Sequence, residues 1–187
     1  PVINGLSDSQ HPCQAMADML TIYERFGRLK GVRVVYVGDG NNVALSLAQA
    51  GANFGVNFAI ASPPGYGFSE DDLTQIAEAA ERTGGSVETY EDPATAVKQA
   101  DVVYTDTWVS MGQEDQTAVR EAALQAYQVN DDLLQKAGSG AIVMHCLPAH
   151  RGHEITDSVA DGAQSVIFDQ AENRLHIQKA ILATLMR

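Results

Sequence analysis

The stretch of this sequence richest in reactive side chains is a cysteine among histidines. Cys146 follows His145, and His150 and His153 lie within the same nine residues. A cysteine beside a histidine is typical of a thiol nucleophile with a histidine base, and several sulfur and imidazole groups are typical of a zinc site. The spacing fits no common zinc signature, and neighbours on a strand point to opposite faces, so we expect His145 and Cys146 to diverge. A buried structural cysteine stays open as a third interpretation.

A second candidate site is the segment Asp106–Gly112, which follows an apolar strand. The carboxylate of Asp106 supplies charge and the hydroxyl of Ser110 supplies a directional acceptor, a combination that suits an ammonium group. Gly112 leaves the segment free to move over a ligand. The alternative is structural, with Asp106 capping a turn while Trp108 and Met111 fill the core.

The third candidate is the loop Gly38–Asn42, which joins a strand to a helix and turns backbone amides toward a possible anion. A dinucleotide fingerprint would need glycine where Val43 stands and an acidic residue at the end of the second strand, where the sequence reads Ala59–Ser62. A nicotinamide-dependent dehydrogenase is therefore disfavoured. Either Asn41 or Asn42 caps the helix, or a side-chain amide holds a ligand carboxylate.

Short β-rich runs alternate with helical runs along the whole chain and must position these loops. Most strand candidates are continuous apolar stretches, as expected of parallel strands covered on both faces. The predicted strands are Val32–Val37, Val56–Ala61, Val87–Tyr90, Val102–Thr105, Ala141–Met144 and Ser165–Phe168. The predicted helices are His11–Phe26, Asn42–Ala52, Ser69–Thr83, Pro93–Gln99, Thr117–Ala126, Asp131–Lys136 and Ala171–Leu185.

The alternation predicts an α/β fold, a single-domain, doubly wound parallel sheet of Rossmann-like type flanked by helices. Its ligand crevice should lie at the carboxyl ends of the strands, in the loops after Val37, Thr105 and Met144. Pro1–Leu6 is interpreted as the tail of a strand without a visible partner. The closing helix places Ile177, Ile181 and Leu185 on one face with no later element to cover them.

Composition argues against several classes of function. The 187 residues carry 24 acidic and 12 basic side chains, and the net charge of −12 repels nucleic-acid phosphates and anionic membranes. No run approaches the roughly 18 apolar residues of a membrane span, and the start lacks a signal-peptide pattern, so we predict a cytoplasmic protein without nucleic-acid or membrane partners. Cys13 and Cys146 are expected to be free thiols.

Taken together, five segments resemble the ornithine carbamoyltransferase family in its order and spacing, over the whole chain. Asp106–Gly112 is the discriminating segment, since it is similar to the family's ornithine loop and aspartate carbamoyltransferases carry a different sequence there. The segments are His11–Gln14, Asp39–Asn42, Asp106–Gly112, His145–Pro148 and Ala171–Arg174.

The resemblance implies roles for particular residues. Asn42 and the backbone of Met111 would hold the α-carboxylate of L-ornithine, Asp106 and Ser110 would hold its α-ammonium, and Cys146 would lie near the side-chain amine. Carbamoyl phosphate would be held by His11, Gln14, Arg174 and the backbone of Cys146 and Leu147.

The implied reaction is attack by the neutral δ-amine of ornithine on the carbamoyl carbon, followed by loss of phosphate to leave citrulline. A thiolate at Cys146 would position or help deprotonate the amine. His11 and Arg174 would stabilise the developing oxyanion, and movement of Ser110–Gly112 would close the site. Cys146, His11 and Arg174 are thus the predicted catalytic residues, with no metal and no cofactor.

The family's phosphate grip, a Ser-Thr-Arg-Thr loop in an amino-terminal domain, has no counterpart here, because the only Arg-Thr pair, Arg82–Thr83, ends a helix. The resemblance divides the chain into residues 1–10, a remnant of that domain and linker, residues 11–170, the ornithine-binding domain, and residues 171–187, a helix that packs on the missing domain. We expect weak binding of carbamoyl phosphate, little or no transfer activity, and association with itself or with the missing half. Family members are expected to be homotrimers of arginine biosynthesis or the urea cycle. A stand-alone amino-acid-binding or regulatory module, and a relative that acts on a modified ornithine, stay open as alternatives.

Overall fold

A computed structural model describes residues 1–109 and 114–186. Within them, five parallel strands form one sheet in the order β3-β2-β1-β4-β5. The strands are β1 Arg33–Val37, β2 Asn57–Ala61, β3 Ser86–Tyr90, β4 Val102–Thr105 and β5 Ile142–His145. The helices are α1 Pro12–Phe26, α2 Asn42–Phe54, α3 Glu70–Thr83, α4 Pro93–Ala96, α5 Thr117–Leu124, α6 Asp131–Ala137, α7 Asp157–Ala160 and α8 Ile167–Leu185, with 3₁₀ turns at Glu114–Gln116 and Gln125–Tyr127. The predicted α/β fold class is confirmed.

The strand order changes direction at β1, which pairs with β2 on one side and with β4 on the other. Tyr36 of β1 lies opposite both Ile60 and Tyr104, and Tyr104 lies opposite Met144 of β5. In a doubly wound sheet this switch point opens a crevice at the carboxyl ends of the strands. The loops after β1, β4 and β5 are therefore brought to one edge, as the sequence predicts.

Both faces of the sheet are covered, which explains why its central strands are uninterrupted apolar runs. Val34 and Tyr36 point into a core shared with α1, α2 and α3. Val35 and Val37, their alternate neighbours, point into a second core beneath α4 to α7. Trp108 is buried in this second core. The structural interpretation of that tryptophan is thus the correct one.

Helix ends follow the chemistry of the sequence. Asn41 caps α2, because its side-chain oxygen accepts from the backbone N–H groups of Val43 and Ala44. Ser69 caps α3 by accepting from Asp72 N, and Gly84 closes the same helix in the left-handed conformation. The choice between Asn41 and Asn42 as the cap is therefore decided for Asn41.

Two predicted strands are wrong. Ser165–Phe168 forms only an isolated bridge from Ser165 to Val143, and α8 begins at Ile167 instead of Ala171. Val166 and Ile167 are buried in the two cores, whereas Phe168 is exposed. Pro1–Leu6 forms no strand, so the expected strand tail is absent there. Helix α7 was not predicted.

Helix α8 packs along α1, which makes the two helices one layer beside the sheet. Gln170 and Asn173 are buried in that contact, whereas Leu175 and Leu182 are exposed on other faces. Ile177 and Ile181 are half-buried and Leu185 is exposed. Among the described residues, no helix is long and apolar enough to cross a membrane.

Candidate functional site

A crevice of about 990 Å³ lies at the carboxyl edge of the sheet, where the topology predicts it. It is lined by the loops after β1, β4 and β5, together with the amino-terminal segment around Ser7 and Asp8. Its floor contains Asp106 and Cys146, and His11 lies at its side. Residues that the sequence analysis chose from three separate loops therefore share one cavity.

Asp106 is the centre of the crevice floor and is 6% exposed. Its Oδ2 accepts from Asn41 Nδ2 at 2.8 Å, while its Oδ1 accepts from Cys146 Sγ at 2.8 Å and from Thr107 N at 2.7 Å. Three donors from three loops thus fix the carboxylate. Because the ordered donors orient it in advance, the carboxylate is suited to receive a cationic group that enters from the crevice.

Cys146 carries a neutral thiol in this arrangement. Burial is the largest cause that raises the pKa of the thiol well above its ordinary value, and the negative charge of Asp106 raises it further. The raised pKa and the hydrogen bond from Sγ to a carboxylate favour the neutral thiol in the protein without substrate, and the thiolate predicted for the reaction stays a prediction. Neither Cys146 nor Cys13 is in a disulfide, as expected.

His145 and Cys146 do not diverge as the strand geometry suggested. Strand β5 ends at His145, so the alternation of side chains ends there too, and one atom from each of Asp106, His145 and Cys146 lies within 4.8 Å of the other two. Both ring nitrogens of His145 are already hydrogen-bonded to protein groups. These protein contacts explain the cluster without a metal, and the absence of a metal stays a prediction.

The His145 ring organises the loop that follows β5. Its Nδ1 accepts from Leu147 N at 2.9 Å, so Nε2 carries the proton and donates to Glu154 Oε1 at 3.1 Å. Leu147 has φ 61°, a left-handed conformation that is uncommon for a leucine, and its N–H contact with the imidazole holds it there. Glu154, which is 1% exposed, was not among the predicted residues.

The loop after β1 is held by close backbone packing. A Cβ on Gly40 would lie 2.9 Å from the carbonyl carbon of Gly67, and Gly40 N donates to Tyr66 O at 2.7 Å. The neighbouring Asn42 also lines the crevice, but its Nδ2 donates to Ser7 O at 2.9 Å. Its predicted contact with a substrate carboxylate stays a prediction, while Asn41 is the amide that contacts Asp106.

An ion pair that the sequence analysis missed closes one side of the crevice. Arg120 of α5 pairs with Asp39, donates through Nε to Trp108 O at 2.7 Å, and lies with its guanidinium carbon 5.3 Å from the ring centre of Tyr66. The side chains of Arg120 and Asp39 are 8% and 14% exposed. Because the two residues are 81 positions apart in the chain, no local sequence pattern predicts their ion pair. The pair ties α5 to the loop after β1.

A second cavity, of about 680 Å³, lies between the amino-terminal segment and α8. His11 and Arg174 line it, and His11 also lines the first crevice, so the histidine stands where the two cavities meet. Arg174 Nη1 donates to Gln14 Oε1 at 2.5 Å. Burial, followed by the charge of Arg174, lowers the pKa of His11. His11 and Arg174 thus share one cavity, whereas Gln14 is buried, lines neither cavity and contacts Arg174.

A family model described as "Aspartate/ornithine carbamoyltransferase, Asp/Orn binding domain" matches residues 30–185. The chain belongs to the aspartate/ornithine carbamoyltransferase family. A second model of the family, described as its carbamoyl-P binding domain, matches residues 1–24. Helix α1, which has His11 at its N-cap and Gln14 in its first turn, therefore falls largely within the match to the carbamoyl-P binding domain.

Individual relatives agree with the family match. The chain is 59% identical to an ornithine carbamoyltransferase of Acidothermus cellulolyticus over 186 residues, which covers 100% of this chain and 60% of that protein. The ornithine carbamoyltransferase structure from Pyrococcus furiosus superposes with a TM-score of 0.94 at 55% identity, covering 98% of this chain and 58% of that one. The structure from Gloeobacter violaceus gives 0.92 at 49% identity, covering 100% and 62%. The chain therefore spans about 60% of the length of the curated relatives.

Two of the family residues predicted for the ornithine site, Ser110 and Met111, lie outside the described residues, as does Gly112. In the segment before them, Thr107 Oγ1 donates to Val109 O at 3.2 Å, and Trp108 O accepts from Nε of Arg120 on α5. The roles of Ser110 and Met111 stay predictions.

Proposed function

We propose that this chain forms the ornithine-binding part of an ornithine carbamoyltransferase, which transfers the carbamoyl group of carbamoyl phosphate to L-ornithine. The observation that carries the proposal is the Asp106 carboxylate, fixed by Asn41 and Cys146 at the floor of the crevice. A buried carboxylate with ordered donors favours an α-ammonium group, because charge and direction are both supplied before the ligand arrives.

The neighbouring groups suit the rest of an amino-acid ligand. Ser110 would share the α-ammonium with Asp106, while Asn42 and the backbone of Met111 would hold the α-carboxylate. Cys146 would then lie beside the δ-amine. We infer that it enters as a neutral thiol that positions the amine, and that a cationic ligand beside it lowers its pKa by opposing the charge of Asp106.

The carbamoyl phosphate would occupy the side of the crevice near His11. Its carbonyl oxygen and amide suit His11, Gln14 and Arg174, with the backbone of Cys146 and Leu147 completing the pocket. His11, whose pKa is lowered, serves best as a neutral hydrogen-bond donor, and Arg174 supplies the positive charge for a developing oxyanion. Because the phosphate itself would rely on few donors here, we expect only weak binding of carbamoyl phosphate by this chain.

We further propose a cytoplasmic role in arginine biosynthesis. The Pyrococcus furiosus relative is named an anabolic ornithine carbamoyltransferase, which supports the biosynthetic direction. The homotrimer implied by the family resemblance, and association of this chain with itself or with a carbamoyl-phosphate-binding unit, stay predictions for light scattering.

The proposal is tested by isothermal titration calorimetry of the 187-residue chain with L-ornithine and with L-norvaline, which lacks the δ-amine. We expect both to bind, since the α-ammonium and α-carboxylate are common to them, and we expect a small amino acid without a long side chain, such as glycine, to bind at least tenfold more weakly. Absence of heat with both ligands at millimolar concentration would sink the proposal.

A further inference from the structure

We propose that Asp18 is a positioning residue for the proposed carbamoyl phosphate site, because its carboxyl group orients the buried Gln14 amide and, through it, the Arg174 guanidinium that lines the second cavity. Asp18 lies on α1 and is fully buried, away from both cavities. The inference rests on the function proposed above, since that function makes carbamoyl phosphate the ligand near Gln14 and Arg174. Asp18 itself touches no substrate in this scheme.

The Asp18 carboxyl group is the acceptor for three side chains from three elements. Its Oδ1 accepts from Gln14 Nε2 on α1 at 2.8 Å and from Gln170 Nε2 on α8 at 2.7 Å. Its Oδ2 accepts from the hydroxyl of Tyr104 on β4 at 3.1 Å. Helix α1, helix α8 and the sheet are thus joined at one carboxyl group.

The Asp18 carboxyl group determines the orientation of the Gln14 amide. With Nε2 committed to Asp18, Oε1 faces away and accepts from Arg174 Nη1 at 2.5 Å. The reversed amide would place its oxygen against the carboxyl oxygen and its N–H groups against the guanidinium, which loses both hydrogen bonds and adds two repulsions. Arg174 therefore keeps its orientation only while Asp18 offers an acceptor.

The same carboxyl group reaches the other half of the crevice through Gln170. While Gln170 Nε2 donates to Asp18, its Oε1 accepts from His145 N at 2.9 Å, directly before Cys146. Asp18 thus links Gln14 and Arg174 to the loop that holds Cys146. A link of this kind sets the relative position of the two groups that would face the two substrates.

The surroundings of Asp18 make its protonation sensitive to pH. Gln14, Gln170 and Tyr104 face the Asp18 carboxyl group from α1, α8 and β4. The charge of Arg174 on α8 acts on Asp18, and the charge of Asp18 acts on Cys146 in the loop after β5. Burial raises the pKa of Asp18 to about 7, opposed by the three hydrogen bonds and by Arg174. A carboxyl group that served only to fill the core would be less costly as an uncharged side chain of the same shape.

The first experiment observes the side-chain amides of the 187-residue chain by two-dimensional NMR between pH 5 and pH 9. The Gln14 and Gln170 amide signals should move together with a midpoint near 7, and in Asp18→Asn they should no longer respond to pH. Gln164 is an internal control, since its Nε2 donates to the backbone oxygens of Gly138 and Ala141. A Gln14 amide signal that is the same in the wild-type chain and in Asp18→Asn at every pH would overturn the inference.

The second experiment titrates carbamoyl phosphate and, separately, L-ornithine into the wild-type chain, Asp18→Asn and Asp18→Leu. Asp18→Leu should reduce the weak carbamoyl phosphate binding of the wild-type chain below detection and leave ornithine binding within twofold. Asp18→Asn, which keeps an oxygen toward Gln14, should restore most of the loss. Equal carbamoyl phosphate binding by all three chains overturns the role of Asp18, whereas failure of the wild-type chain to bind ornithine overturns the proposed function instead. If Asp18→Leu does not fold, the NMR comparison with Asp18→Asn decides.

Discussion

The thiol of Cys146 donates a hydrogen bond to Oδ1 of Asp106 across 2.8 Å, although the two residues are 40 positions apart in the chain. Asp106 directly follows β4, and Cys146 directly follows the neighbouring strand β5. Because the two side chains are in contact at the floor of the crevice, the charge of Asp106 affects the pKa of the Cys146 thiol. This coupling has a direct chemical consequence.

Replacement of Asp106 by asparagine should make Cys146 more reactive. Burial still raises the pKa of the thiol, but the contribution from the charge of Asp106 disappears, so the thiolate fraction at pH 8 increases. We expect alkylation of Cys146 by iodoacetamide to become several times faster, as followed by mass spectrometry. Cys146→Ser supplies the background from the buried Cys13. An unchanged alkylation rate would mean that the two side chains are not coupled.

Replacement of Gly40 by alanine should disturb the loop after β1. Its Cβ would approach the backbone of Gly67 to 2.9 Å and the carbonyl oxygen of Tyr66 to 3.0 Å, and backbone atoms cannot move aside easily. We expect a loss of about 1–3 kcal/mol in the free energy of unfolding, measured with urea. Gly67→Ala is the matched control from the facing loop, because nothing lies within 4 Å of its added Cβ. Equal stability of the two variants would contradict the packing described here.

Removal of one partner of the Asp39–Arg120 pair should be much more harmful than loss of an exposed pair. Arg120→Met leaves the carboxylate of Asp39 in a largely buried position without its cation, and such changes typically cost about 3–5 kcal/mol. Arg151, which pairs with Asp157 and Asp161 at the surface, provides the control, and Arg151→Met should show little change. Urea unfolding of the two variants measures the contrast. Equal losses of stability in the two variants would mean that the Asp39–Arg120 pair is only a surface contact.

The stability of the chain should depend on pH through Asp18. Its pKa is about 7 when folded and near its ordinary value when unfolded, so between these values the folded state holds a proton that the unfolded state lacks. Stability from this group is therefore greatest at low pH and falls as the pH rises toward the folded pKa. The difference in unfolding free energy between wild type and Asp18→Asn, measured at pH 5 and pH 7, should shift in favour of the variant at pH 7. A difference that stays constant with pH would show that the carboxyl group does not titrate in this window.

The order of elements and the position of the crevice could be predicted because they depend on local patterns. Buried parallel strands are continuous apolar runs, and the carboxyl ends of such strands meet at one edge whatever the loops contain. The run Ser165–Phe168 was misassigned because four apolar or small residues suit a strand and a buried helical turn equally. Only the packing of α8 against α1 decides between them.

The candidate site was predicted in its residues but not in their contacts. Asp106 and Cys146 were both chosen from the sequence, yet their hydrogen bond and the neutral state of the thiol depend on burial, which the sequence does not display. Asn41 and Asn42 are equivalent in type, and only the backbone conformation at the start of α2 assigns the cap to one of them. Glu154 and Arg120 were missed because their partners are chosen by the tertiary fold.

The most direct test of the account is the affinity of the 187-residue chain for L-ornithine, measured by calorimetry on wild type, Asp106→Asn and Asp8→Asn. Asp8 lines the same crevice at an exposed position, so its variant removes an equal charge without touching the floor. We predict that Asp106→Asn raises the dissociation constant at least tenfold and that Asp8→Asn changes it less than threefold. Equal binding by wild type and Asp106→Asn would contradict the assignment of the Asp106 carboxylate as the ammonium receptor.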